Sequence, residues 1–94
     1  MSDQPLVSVV IAVYNSGETG LAPALASLQA QTLSGVEVII VDDGSTDETP
    51  VYLAALDFPG LRVQRLEANR GQAAALNAGI RLARGRYIAR HDAD

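Results

Sequence analysis

Residues 36–45 read Val-Glu-Val-Ile-Ile-Val-Asp-Asp-Gly-Ser, an apolar run that ends in a polar turn. The first six residues are mostly β-branched, and a nearly continuous apolar run of this kind is typical of a strand covered on both faces of a sheet. Asp-Gly favours a turn, and Ser45 is a residue type that often precedes a helix. The segment therefore predicts a buried strand that leads through a turn into a helix.

Three other segments have strand character, and helical segments lie between them. Residues 7–13 share the β-branched, nearly continuous pattern, and residues 86–90 form a shorter run. In residues 61–66 apolar and polar side chains alternate until Arg65 breaks the apolar face, which indicates a strand nearer the edge of the sheet. Strands that alternate with helices predict an α/β fold, here a Rossmann-like (βα)3β arrangement with a mostly parallel sheet between two helical layers.

The first helix is predicted over residues 20–31. Pro23 is tolerated only in a first turn, so Thr19 is the expected N-cap. The apolar stripe of this helix consists of Leu21, Ala24, Leu25 and Leu28.

The second and third helices have their own start signals and apolar faces. Asp47 is the preferred cap of the second helix, because this choice puts Pro50 in the first turn. The third helix is predicted over residues 71–83, and Gly85 is positioned to end it. Its buried face is expected to consist of Ala73, Leu76, Ile80 and Ala83.

Length and composition bound the class of protein. The 94 residues carry a net charge of −4 and suit a single domain spanning residues 1–94. An acidic chain is a poor nucleic-acid binder, and the absence of Cys and Lys excludes thiolate metal sites and Schiff-base chemistry. No apolar run approaches the roughly 20 residues of a membrane span, and the first residues lack a basic cluster, so the expected compartment is the cytoplasm.

Polar residues follow each predicted strand at its carboxyl end, where open α/β sheets bind their ligands. These residues are Tyr14 and Asn15, Asp42 to Ser45, Glu67 to Gly71, and His91 to Asp94. Parallel strands would gather all four groups at one edge of the sheet. A solvated or membrane-facing surface is predicted for five arginines, which are Arg62, Arg65, Arg81, Arg84 and Arg86.

Asp92 and Asp94 form a D-x-D pair directly after the fourth strand. In extended chain, residues i and i+2 point the same way, so two carboxylates converge on one point. Mg²⁺ takes such carboxylates together with substrate phosphates, which predicts a metal–diphosphate anchor. The alternative is a solvated acidic segment or an Asx turn.

The other candidates also allow two interpretations. Asp42 and Asp43 are suited to hydrogen-bond a base or a ribose, although Asp-Gly-Ser is also ordinary turn and cap chemistry. Tyr14 either stacks on a base or caps the core at a strand end. Arg70 either offers a cation to a nucleotide or lies solvated at a helix start.

Taken together, these segments resemble the family 2 glycosyltransferases, which have a GT-A nucleotide-diphospho-sugar fold. The resemblance rests on Ile-Ile-Val-Asp-Asp-Gly-Ser-Thr-Asp at residues 39–47 and Tyr-Ile-Ala-Arg-His-Asp-Ala-Asp at residues 87–94. Similar segments lie at residues 7–15, 28–32 and 69–79, so the match runs in order through nearly the whole chain.

The resemblance implies transfer of a sugar from a nucleotide-diphosphate donor, with inversion and with Mg²⁺ or Mn²⁺ as cofactor. It implies a glycan or lipid-linked acceptor in cell-envelope polysaccharide synthesis, at the inner face of the membrane. Carried over, Ala12 and Tyr14 line the base pocket, and Asp42 and Asp43 bind base and ribose. Arg70 lies on the base side, Asp92 binds ribose, metal and diphosphate, and Asp94 binds the metal.

The family's domain continues past the D-x-D pair, so residues 1–94 resemble its amino-terminal, donor-binding half. The general base that takes the acceptor's proton is expected beyond residue 94, and we expect the isolated chain to transfer no sugar. Apolar surface left uncovered at the sheet edge favours self-association.

Three alternatives remain open. The first is a non-catalytic nucleotide-binding or interaction module with the same half-fold. A phosphoacceptor receiver domain places its acids after the first strand and needs a Lys, which this chain lacks. A nucleotidyltransferase has a Gly-rich cationic loop after the first strand, where this chain reads Tyr-Asn-Ser-Gly-Glu.

Overall fold

The fold is a four-stranded, entirely parallel sheet with helices on both faces. The computed structural model describes residues 4–31 and 35–92, with the backbone alone for residues 29–31, 91 and 92. The elements are β1 (Val7–Val13), α1 (Gly17–Gln31), β2 (Val36–Asp42), α2 (Thr49–Ala54), β3 (Leu61–Arg65), α3 (Gln72–Leu82) and β4 (Tyr87–Asp92). The strand order β3-β2-β1-β4 confirms the α/β prediction and the edge position of β3.

The core lies in two layers on either side of β1 and β2. Alternate residues of these strands pack against α1 and α2 on one face, where Ile11 and Ile40 are fully buried. The other residues, such as Val10 and Ile39, pack against α3. Because both faces are covered, the two central strands are apolar throughout their middle, as their sequences predicted.

Helix α1 begins at Gly17, three residues before the predicted start. The N–H of Gly17 donates to the Thr49 hydroxyl at 2.9 Å, and the N–H of Gly20 donates to the carbonyl of Ser16 at 3.1 Å. Thr19 is therefore not the cap, and Pro23 lies inside the helix. The long-range contact with Thr49 stabilises a first turn that local propensity did not predict. The stripe containing Leu21 and Leu25 is buried as predicted.

Helix α2 begins at Thr49, with Pro50 in the first turn as predicted. The carboxylate of Asp47 accepts the N–H of Thr49 at 2.8 Å, although the cap position itself is occupied by Glu48. Hydrogen bonds from the Thr49 hydroxyl and N–H lower the pKa of Asp47.

The buried face of α3 differs from the predicted one. It consists of Ala75, Leu76 and Gly79, whereas Ala73 and Ile80 are exposed. A Cβ on Gly79 would overlap the Val10 side chain, so the helix lies unusually close to the sheet at this point. Leu76 and Ala83 of the predicted face do pack against the core, but the apolar pattern counted Ile80 and ignored a glycine that allows close approach.

A buried polar cluster lies at the opposite, amino-terminal end of the sheet. The carboxylate of Glu37, which is 3% exposed, accepts the Ser8 hydroxyl and the Arg84 N–H, each at 2.6 Å. The guanidinium groups of Arg62 and Arg84 lie 3.6 and 3.8 Å from its Oε1. The N–H of Gly85 donates to the Ser8 hydroxyl at 2.8 Å, so the cluster fixes the connection between α3 and β4.

Strand β4 forms the second edge, and its described side chains are exposed. Tyr87 is 63% exposed and Ile88 is 45% exposed. None of the helices within the described ranges has the length and apolar character to span a membrane.

Candidate functional site at the carboxyl edge of the sheet

The predicted site residues that the structure describes meet at one edge of the sheet. Ala12 is the Cα partner of both Val41 on β2 and Asp92 on β4. The N–H of Asp43 donates to the carbonyl of Val13 at 2.8 Å, so the acidic loop starts beside the end of β1. The register therefore brings the ends of β1, β2 and β4 to the same edge.

Asp43 connects the end of β2 to the start of α3. Its side chain is buried, and its Oδ1 and Oδ2 accept the N–H groups of Arg70 and Gly71 at 2.8 and 2.9 Å. A carboxylate in this position satisfies backbone donors ahead of a helix. Asp43 thus has a structural role that fixes the loop carrying Arg70.

Asp42 is the most buried ionisable residue of the edge, with 1% of its surface exposed. Its Oδ1 accepts the N–H of Ser45 at 3.0 Å, as in an Asx turn. Its Oδ2 has no hydrogen-bond partner among the described residues and lies 3.8 Å from Nε of Arg65. Buried polar atoms are almost always paired, so an oxygen held only by a long ion pair is notable.

Asn15 and Ser45 tie the ends of β1 and β2 together. The N–H of Asn15 donates to the Ser45 hydroxyl at 2.8 Å, and Oδ1 of Asn15 accepts the N–H of Thr46 at 2.8 Å. Asn15 has a φ of 51°, in the left-handed region that Asn tolerates better than most residues. The only sequence signal for this role of Asn15 was its residue type, because its hydrogen-bond partners lie about 30 residues away in the chain.

Gly44 allows the acidic loop to approach the segment after β3. Its φ is 75°, and a Cβ there would lie 2.5 Å from the carbonyl carbon of Ala68. Only glycine fits both constraints. The loop between β2 and α2 is therefore held in one conformation by Gly44, Asp42 and Ser45 together.

The exposed groups at this edge are the ones that a ligand meets first. Tyr14 is 45% exposed, Ala12 is half-buried and Arg70 is exposed. The Arg70 guanidinium has no ion-pair partner within the described part of the chain, while its N–H is held by Asp43. An aromatic ring and a cation stand beside buried carboxylates, a combination suited to a planar, polar ligand.

The D-x-D pair is described only in part. Asp92 ends β4 opposite Ala12, on the same edge as Asp42 and Asp43. Asp94 lies outside the described residues. Among the side chains that the structure describes, which do not include those of residues 91 and 92, no cluster of three or more acidic or His groups forms a metal site. The donor set of this edge consists of carboxylate oxygens, which suits Mg²⁺ or Mn²⁺.

Comparison with known proteins assigns the family. The model of the family described as Glycosyl transferase family 2 matches residues 8–94. The chain is 48% identical over 90 residues to the succinoglycan biosynthesis protein ExoO of Rhizobium meliloti, covering 96% of this chain and 26% of that protein. It is 41% identical over 91 residues to the glycosyltransferase GlyG of Streptococcus pneumoniae, covering 95% of this chain and 30% of that one.

Solved structures agree with the fold. The mannosyltransferase PcManGT from Pyrobaculum calidifontis, in complex with GDP-Man and Mn²⁺, matches with a TM-score of 0.83 and 33% identity, over 97% of this chain and 28% of that one. TarS 1-349 of S. aureus in complex with UDP matches with a TM-score of 0.75 and 34% identity, over 95% and 27%. The chain thus spans between a quarter and a third of the length of these proteins. With its parallel four-stranded α/β architecture, the chain belongs to glycosyl transferase family 2.

Proposed function

We propose that residues 1–94 form the donor-binding half of a GT-A domain, which binds a nucleotide-diphosphate sugar with Mg²⁺ or Mn²⁺. The observation that carries the proposal is the register that brings Asp92 to the same edge as the buried Asp42-Asp43 loop. An anionic diphosphate needs a cation to lie beside carboxylates, because like charges otherwise repel. A divalent ion between them meets this need.

Each candidate residue of the edge has a proposed role. Ala12 and Tyr14 line the base pocket, because they are the accessible groups at the end of β1. Arg70 contacts the base side from the loop that Asp43 fixes. Asp92 takes ribose, metal and diphosphate, and Asp94 takes the metal.

Asp42 and Asp43 are proposed to bind base and ribose, and their hydrogen bonds refine that role. Both oxygens of Asp43 already accept backbone N–H groups, so it reaches a ligand only through its remaining lone pairs. Asp42 retains an oxygen without a hydrogen bond. We expect Asp42 to bind the ligand more strongly than Asp43 does, once the Arg65 side chain moves away from Oδ2 of Asp42.

The similar structures support a nucleotide-diphosphate donor but do not identify the base of that nucleotide. One similar structure holds GDP-Man with Mn²⁺ and another holds UDP. Both are nucleoside diphosphate compounds with different bases. We therefore propose a nucleotide-diphosphate sugar as the ligand of this chain and specify no base.

Transfer with inversion to a glycan or lipid-linked acceptor, at the inner face of the membrane, is proposed for the whole protein. The similarity to a succinoglycan biosynthesis protein supports a role in polysaccharide synthesis. Transfer with inversion needs a general base that takes the acceptor's proton. Asp42 and Asp43 are buried and bound to backbone donors, so neither is free to be that base. We therefore expect residues 1–94 alone to bind the donor and to transfer no sugar.

The decisive experiment is calorimetric titration of this chain with UDP-glucose and GDP-mannose, with Mn²⁺ or with EDTA. Binding that needs Mn²⁺ and falls at least about tenfold in Asp92→Asn supports the proposal. Asp57→Asn is the matched control, because Asp57 is exposed between α2 and β3. Equal behaviour of the two variants, or no nucleotide binding by this chain or by a longer protein that contains it, would refute the proposal.

The same half-fold as a non-catalytic binding module is the second candidate. The burial of Asp42 and Asp43 favours it, because neither of these two carboxylates is exposed to an acceptor. Turnover of a nucleotide sugar by a longer protein that contains this chain would exclude it.

A further inference from the structure

The cationic residues of this chain all lie in its carboxyl-terminal half. All seven cationic residues are arginines, and all lie between residues 62 and 90. Residues 1–61 contain no Lys or Arg. Such asymmetry in a chain with net charge −4 indicates a localised basic surface on an otherwise acidic molecule.

Part of this basic surface is concave. A cleft with a volume of about 540 Å³ lies between the end of β3 and the side of α3. This volume is within the range of small-molecule sites. The polar groups that line it are Gln64, Arg65, Glu67, Arg70, Asn77 and Arg81. The cleft thus combines three guanidinium groups with two amides and a single carboxylate.

The guanidinium groups of the cleft are only partly neutralised. Arg65 donates to the carbonyl of Ser45 at 3.0 Å and lies near Asp42, which fixes its position. Arg70 and Arg81 form no ion pair with any described residue. Three neighbouring cations repel one another, and an anion between them relieves that repulsion. Planar guanidinium groups bind phosphate through paired hydrogen bonds, so the chemistry favours a phosphate group.

We propose that this β3–α3 cleft is a second anion site, which binds a phosphomonoester or diphosphate group without a metal ion. It lies along the side of α3 at the β3 edge of the sheet and borders the proposed donor site, because Arg70 belongs to both and Arg65 lies 3.8 Å from Asp42. The group would belong either to a soluble phosphate compound or to the headgroup of an anionic lipid. Amide groups of Gln64 and Asn77 supply further hydrogen bonds.

Metal dependence separates this cleft from the proposed donor site. The carboxyl edge presents carboxylates and needs a divalent ion to accept a diphosphate, whereas the cleft presents cations. Calorimetric titration of the chain with inorganic pyrophosphate in EDTA therefore measures binding without a metal ion, and Arg81, which has no role in the donor site, assigns that binding to the cleft. Titration with a nucleotide sugar and Mn²⁺ reports on the donor site.

Arg81→Gln is the test variant, because Arg81 is exposed on α3 and has no role in the proposed donor site. Arg86→Gln is the matched control, since Arg86 is equally exposed but does not line the cleft. We expect Arg81→Gln to raise the Kd for pyrophosphate at least about tenfold and Arg86→Gln to change it less than twofold. Both variants should bind the nucleotide sugar with Mn²⁺ as the unmodified chain does.

A second arm identifies the source of the phosphate. The chain is sedimented with vesicles of phosphatidic acid, a phosphomonoester lipid, and phosphatidylcholine, and with vesicles of phosphatidylcholine alone. Binding that needs the anionic lipid and is lost in Arg81→Gln assigns the cleft to a headgroup. Pyrophosphate binding without vesicle binding assigns it to a soluble compound. Absence of both, or equal loss in both variants, would overturn the proposal.

Discussion

Asp43 illustrates how a single side chain joins structure to the candidate site. It accepts two N–H groups from the segment before α3 and thereby fixes the position of Arg70. Its place after a buried strand predicted that Asp43 lies at the carboxyl edge of the sheet, and the structure places it there. The hydrogen-bond partners could not be predicted, because they lie 27 and 28 residues away and depend on how α3 packs.

Replacing Asp43 should therefore affect stability as well as binding. Asp43→Ala leaves two backbone donors without their carboxylate, and we expect a loss of about 2 kcal/mol in the free energy of unfolding. Urea denaturation measures this loss, with Asp57→Ala as an exposed control that should change stability by less than about 0.5 kcal/mol. Equal stability of the two variants would mean that the Asp43 bonds contribute nothing.

Glu37 is the residue whose ionisation should control acid stability. Burial raises its pKa, but the hydrogen bonds from Ser8 and Arg84 and the nearby guanidinium groups of Arg84 and Arg62 outweigh burial and lower the pKa below its ordinary value of 4.5. The folded state therefore holds its proton more weakly than the unfolded state. Its ionised form stabilises the fold above pH 4.5, and this contribution is lost as the pH falls through the lowered folded value.

Glu37→Gln tests this sign directly. At pH 7 the variant should be less stable by about 2 kcal/mol, since the buried cluster loses its charge. Below pH 4.5 the difference between the two proteins should shrink, because the unmodified chain also becomes protonated. Denaturation curves between pH 3 and 7 measure this difference in stability. A difference that grows as the pH falls would contradict the lowered pKa of Glu37.

At the scale of elements, the strands, their parallel pairing and the edge position of β3 could be predicted, and two helix details could not. Apolar, β-branched runs indicated β1 and β2 almost to their ends, because burial on both faces leaves a clear pattern. The predicted start of α1 was wrong because the Thr49 hydroxyl, from a distant segment, satisfies the N–H of Gly17. The predicted face of α3 was wrong at Ala73 and Ile80, because close packing at Gly79 overrides the count of large apolar residues.

Gly79 in α3 and Gly20 in α1 provide a matched pair of variants. Gly79→Ala places a methyl group against Val10 and within 3.1 Å of Val41, so we expect a loss of about 1–3 kcal/mol from overpacking. Gly20→Ala meets only Ser16, at 3.4 Å on an exposed turn of α1, and should gain up to about 1 kcal/mol from helix propensity. Thermal denaturation compares them, and a stabilised Gly79→Ala would contradict the close contact between α3 and the sheet.

At the scale of the whole molecule, the two edges of the sheet differ in character. The β3 edge carries arginines beside the proposed anion cleft, whereas β4 exposes Tyr87 and Ile88. An uncovered parallel strand with apolar side chains offers backbone groups and surface for association.

We therefore expect the 94-residue chain to self-associate through β4. Sedimentation velocity should detect dimers or larger species at micromolar concentration, and Ile88→Lys should shift them toward monomer. Val63→Lys is the control, because Val63 is 44% exposed on the opposite edge strand. A clean monomer at all concentrations would contradict this expectation.

The ends of β1, β2 and β4 are proposed to form one metal-dependent nucleotide site. This site can be tested by paramagnetic broadening of backbone amide signals by Mn²⁺, in the presence of GDP or UDP. We expect broadening at residues 14–15, 42–45 and 92, none near Ser8 or Glu37, and its loss in Asp92→Asn. Broadening confined to the surroundings of the exposed acidic residues Glu18, Glu48 and Asp57, or unchanged in that variant, would contradict it.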